Sequence, residues 1–184
     1  MRKITKISNR IIRRFDPCYD PSKLGSKESE YLPIVEAVEK YRSKIKNKED
    51  IVWLLCRPEF MTDRDMRLFA VWCAREALKL FENPDQRSID ACDVAERFAN
   101  GDANSDELAA AWASVRYADA AGWYAAWVSA GWYAVWDAAW NAARAAVWVS
   151  ARDAARDAAR YAARYADRDA DRDAQIDKLL TYFI

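Results

Sequence analysis

The chain has 184 residues, with 29 Lys and Arg balancing 29 Asp and Glu, and it contains no histidine. Zero formal net charge removes the general attraction to nucleic acid or anionic membranes that a basic chain would have, and the missing imidazole removes every Ser-His, Cys-His and His-metal arrangement. The length suffices for a domain whose core needs no metal or disulfide, and four cysteines without a C-x-x-C pair and no signal peptide predict free thiols in a cytoplasmic, soluble chain.

Residues 1–30 read as a basic N-terminal arm and linker. Ile4, Ile7, Ile11 and Phe15 recur at three- and four-residue spacing among Arg2, Lys3, Lys6, Arg10, Arg13 and Arg14, which predicts a short basic amphipathic helix. Such an arm either binds a partner or phosphate, or is a solubilising terminus docked on the body. Pro17, Pro21 and the polar run through Ser29 predict a linker, because proline lacks an amide donor and restricts the residue before it.

Residues 31–103 read as a bundle of short helices. Pro33 opens a helix burying Ile34, Val35, Val38, Tyr41 and Ile45. Asn47 caps one with Ile51, Trp53, Leu54 and Leu55, ended by Pro58. Thr62 and Asp65 form a capping-box pattern before Met66, Phe69, Trp72, Cys73 and Leu80. Asn83-Pro84 separates this helix from one burying Ile89, Cys92, Val94, Ala95 and Phe98, which stops at Asn100-Gly101.

Residues 104–184 form a helical array packed on that bundle, in one cooperative body. Asn104 and Glu107 can cap its start, no proline follows, and a four-residue repeat runs without a register slip. A small row passes through Ala110, Gly122, Ala134, Ala146, Ala154, Ala158 and Ala162, and a large row two positions on carries Trp132, Trp136, Trp140, Trp148, Arg152, Arg156, Arg160 and Arg164. Alanine at this density dictates helix, since it loses no side-chain entropy there. Four residues turn a helix by about 400°, so each row drifts roughly 40° per repeat, and one unbroken helix would run about 120 Å. The array therefore folds back at least once, near Gly122 or Gly131, with the small row allowing close helix approach. The fold class is all-α: a multi-helix bundle with a long Ala-rich tetrad-repeat array. A competing account is expansion of a tetrapeptide that the structure merely tolerates.

The ordered blocks Leu68-Phe69-Ala70-Val71-Trp72-Cys73-Ala74-Arg75, Asn83-Pro84-Asp85-Gln86-Arg87-Ser88, Val94-Ala95-Glu96-Arg97-Phe98-Ala99-Asn100-Gly101 and Asp106-Glu107-Leu108-Ala109-Ala110-Ala111, followed by the tetrads, resemble a family of immunity proteins found beside toxin genes and in phages and prophages. Cys18-Tyr19-Asp20-Pro21 resembles the family's N-terminal portion, so the likeness covers most of the chain. It implies a binder or inhibitor of another macromolecule and brings no catalytic or binding residues with it.

The candidate binding residues are Trp123, Tyr124, Trp127, Trp132, Tyr133, Trp136 and Trp140 with Arg152, Arg156 and Arg160, because Trp, Tyr and Arg dominate interface hot spots and stack on ligands. The same rings could instead fill gaps left by alanine. The arginines also have aspartates at helical pairing distance, as in Asp153 to Arg156 and Asp157 to Arg160, which describes a self-neutralised face and argues against nucleic acid. The uncharged stretch between Asp119 and Asp137 approaches the lower limit of about 17 residues for a membrane span, but its Ala, Gly and Ser content and flanking charges argue against insertion. The leading expectation is a non-enzymatic inhibitor, without catalytic residues, metal or cofactor, that occludes a toxin, defence component or host protein. The alternatives are a helical protein that sequesters a nucleotide or other small ligand, and a self-associating structural module forming homo-oligomers.

Overall fold

The computed structural model describes residues 3–17, 19–79, 83–114, 151–162 and 168–184. The fold is all-α apart from a two-stranded antiparallel pair. The chain divides into two compact units, residues 1–61 with 172–184, and residues 62–171. Among the described residues no helix is long and apolar enough to cross a membrane. The expected fold-back points at Gly122 and Gly131 lie outside the described residues.

In the first unit the basic N-terminal segment is split by Ser8 instead of forming one helix. Strand β1 (Lys6–Ile7) pairs with β2 (Leu32–Pro33), placing Lys6 opposite Pro33 and Ile7 opposite Leu32. Ser8 is extended, and its hydroxyl accepts the Ile11 amide at the start of α1 (Asn9–Arg13). Serine's ability to satisfy an otherwise orphaned helix amide explains the break. The buried isoleucines are accordingly Ile7 and Ile12, with Ile4 and Ile11 half-buried. The expected linker is also structured: Asp20 caps a 3-10 turn over Pro21–Leu24, and Gly25 ends it at φ +81°, a left-handed conformation suited to glycine.

Helix α2 (Ile34–Tyr41) begins directly after Pro33 and buries Ile34, Ala37, Val38 and Tyr41. The Asn47 side chain accepts the Glu49 amide at the head of α3 (Glu49–Leu55), whose Ile51, Val52, Leu54 and Leu55 are buried. The Arg57 guanidinium follows, 4.6 Å from the Phe15 ring centre and 4.2 Å from that of Trp53, cation–π distances. Phe15 also packs against Phe60, fixing the end of the basic segment.

The second unit is built on α4 (Asp63–Leu78). The Thr62 hydroxyl accepts the Asp65 amide at 3.1 Å and donates to the Asp65 carboxylate at 2.6 Å, a variant of the expected reciprocal cap. Met66, Phe69, Ala70, Cys73, Ala74 and Ala77 are buried at helical spacing. Helix α5 (Gln86–Asn100) is capped by the Asp85 side chain and ends at Gly101, φ +85°, with Asp102 N–H donating to Arg97 O at 2.8 Å. It packs on α4, and Arg75 on α4 meets Asp93 and Glu96 on α5 at 2.9 and 2.6 Å. Residues 105–114 are helical behind the predicted reciprocal cap: Glu107 N–H donates to Asn104 Oδ1, and Asn104 N–H donates to a Glu107 oxygen.

Two described stretches of the array follow, α6 (Ala151–Ala162) and α7 (Arg168–Leu180). Helix α6 packs on α4 with Ala154, Ala155, Ala158 and Ala159 fully buried. From Arg172 onward α7 belongs to the first unit, where it buries Gln175, Ile176, Leu179 and Leu180.

Candidate functional site

The seven aromatic candidates, Trp123, Tyr124, Trp127, Trp132, Tyr133, Trp136 and Trp140, lie outside the described residues. The three arginine candidates stand on α6. Arg152 and Arg156 are half-buried and Arg160 is exposed, while the helix docks through its alanines. Arg160 pairs with Asp157 at 3.1 Å, one of the intrahelical pairs expected from spacing. Arg152 Nε is buried with no hydrogen bond among the described residues.

Lower in the array, the charges serve a contact between distant segments. Asp173 on α7 accepts from Arg42 at 2.7 Å and Lys48 at 2.6 Å, Asp177 accepts from Arg42 at 2.6 Å, and Arg172 lies 3.7 Å from Glu49. Hydrogen bonds from Arg42 and then Lys48 hold the Asp173 carboxyl below its usual range. A carboxyl lowered on folding contributes stability that is present above its ordinary titration range and is lost as pH falls through the lowered value. With the Asp173 side chain 38% exposed, solvent screening limits the effect. Asp173→Asn is expected to lower stability at pH 7 by about 1 kcal/mol, with the difference from the parent closing below about pH 4; urea titrations at both pH values measure this. A difference that persists in acid would place the effect elsewhere in the side chain.

The first unit also contains a cavity of about 60 Å³. Ile7, Ile12, Leu24, Val38, Ile45 and Leu54 supply much of its wall, drawn from β1, α1, the 3-10 turn, α2, the segment after α2, and α3. If it stayed empty it would cost about 1.4 kcal/mol at ~24 cal/mol per Å³. Its polar lining is largely satisfied internally. Asn9 Nδ2 donates to Ser26 O at 3.0 Å and Ser26 Oγ donates to Asn9 Oδ1 at 2.7 Å. The Glu30 carboxylate accepts from Lys40 at 2.5 Å and from the Tyr41 hydroxyl at 2.9 Å, and these bonds, Lys40 first, hold its pKa below the usual value. Sequence pattern did not mark this place, because its walls come from residues 7 to 55 and each looks like ordinary core; Gly25 alone signals the turn that presents Leu24.

Cys56, Cys73 and Cys92 are buried and not joined in disulfides, and burial pushes the Cys92 thiol up to about 12. The fourth cysteine, Cys18, lies outside the described residues. Among the described residues no cluster of three or more Cys, Asp or Glu is placed to hold a metal ion. In comparisons with known proteins, no family model, no curated protein and no solved structure matches this chain.

Proposed function

We propose that this chain is a non-enzymatic binding protein of the immunity type, encoded beside a toxin gene or by a phage, which acts in the cytoplasm by covering the working surface of a toxin, a defence component or a host protein. The observation that carries this reading is the division of α6 into a fully buried alanine face and an arginine edge. A helix that docks through Ala154, Ala155, Ala158 and Ala159 leaves Arg160 exposed, and arginine is one of the residue types that dominate interface hot spots. Stepping back by fours from Arg152 along the sequence reaches Trp148, Arg144, Trp140, Trp136 and Trp132, so one row concentrates the binding-prone residue types. The blocks resembling immunity proteins point the same way.

The test is affinity capture of the tagged full chain from cells of its native host, with mass spectrometry of proteins and metabolites in the same eluate. One dominant stoichiometric protein is expected, and Trp132→Ala with Trp136→Ala should reduce its capture by about tenfold or more in a chain of unchanged helicity. Equal capture by that variant would move the site off the array, and enrichment of a nucleotide or other small molecule in place of a protein would overturn the inhibitor reading.

A further inference from the structure

Zero net charge conceals an uneven division. The first unit holds 16 Lys and Arg against 11 Asp and Glu, a formal +5, and the second holds 13 against 18, a formal −5. The apolar cavity lies within the basic unit, and the carboxylate in its wall, Glu30, is already answered by Lys40 at 2.5 Å. Lys44 differs. Its ammonium lies 3.4 Å from the carbonyl of Leu24 and at a cation–π distance of 5.5 Å from the centre of the Tyr41 ring, both residues of the cavity wall, yet it has no carboxylate partner among the described residues. Lys44 is exposed, so a solvated cation stands beside two of the residues that line the apolar hole.

We propose that this cavity is a binding site for a small aliphatic carboxylate, with the hydrocarbon end inside and the carboxylate at Lys44. The size sets the chain length. An apolar cavity of about 150 Å³ accommodates benzene, so a volume of about 60 Å³ seats a terminus of two to four carbons, with the remaining methylenes crossing the mouth. The charge sets the headgroup. A cation without an acid beside it favours an anion over an alcohol, and an amine would bring like charge to Lys44. This inference does not depend on the inhibitor reading, because its residues lie outside the array.

The experiment is a titration of the full chain, carrying labelled isoleucine methyls, with hexanoate, hexanol and hexylamine. Ile7, Ile12, Ile45 and Ile51 line the cavity, and Ile89 belongs to the second unit. Hexanoate is expected to shift the first four methyls and leave Ile89 unmoved, while hexylamine binds about tenfold more weakly. Lys44→Gln should weaken hexanoate about fivefold and leave hexanol unchanged. Ala37→Leu, which enlarges a buried wall residue, should abolish both; should that chain fail to fold, Val38→Ile takes its place. Absence of shifts in the four methyls, equal binding of the three probes, or an unchanged hexanoate affinity in Lys44→Gln would each overturn the proposal.

Discussion

Phe69→Ala is expected to destabilise the second unit by about 4 kcal/mol. Phe69 is fully buried on α4, its ring stacked 6.3 Å from that of Trp72. Losing a buried phenyl ring removes its transfer free energy and leaves a hole, and the second part depends on how far the surroundings can close. Here they have little to close with. The buried face of α4 includes Ala70, Ala74 and Ala77, and the buried residues of α6 are Ala151, Ala154, Ala155, Ala158 and Ala159. An alanine has no side-chain torsion that could swing a methyl into the void, so the cost stays within the usual range for such substitutions and does not fall below it. Trp72→Phe, at a half-exposed neighbour, should cost about 1 kcal/mol. Denaturant titrations followed by circular dichroism give both values, and a loss below about 2 kcal/mol for Phe69→Ala would mean that the alanine-rich surroundings collapse readily.

The parts of the fold legible in the sequence were those set by local chemistry. Thr62, Asn104 and Gly101 each satisfy helix-end groups from within a few residues, and such contacts depend on spacing alone. The small row was legible for a similar reason, since Ala154 and Ala158 are buried where α6 meets α4. What the periodicity missed was competition and distance. Ile4, Ile7, Ile11 and Phe15 satisfy helical spacing, but the Ser8 cap and the pairing of Lys6–Ile7 with Leu32–Pro33 outweigh it. The Arg42, Lys48 and Asp173 cluster spans more than 120 residues of chain, and no local pattern distinguishes Asp173 from the other aspartates of its row. The cavity was hidden in the same way, because Ile7, Leu24 and Leu54 read one at a time as core.

Ala158→Leu is expected to cost about 3 kcal/mol, and it separates two accounts of the repeat. If alanine is there because α6 must approach α4 closely, a side chain longer than a methyl at the fully buried Ala158 has to push the helices apart or adopt a strained rotamer. If the repeat is only an expanded tetrapeptide that the fold tolerates, the helices shift slightly and the added methylenes contribute apolar contact, leaving stability nearly unchanged. Glycine at the same position controls for helix propensity and should cost about 1 kcal/mol. Arg160→Ala, on the exposed side and losing the Asp157 pair, should stay within about 0.5 kcal/mol. Ala155→Leu extends the comparison beyond the small row: Ala155 is one residue out of that row yet fully buried. Equal losses at 155 and 158 would show that burial on α4 selects alanine, with the four-residue phase following from that contact. A loss at 158 alone would tie the close approach to the small row itself.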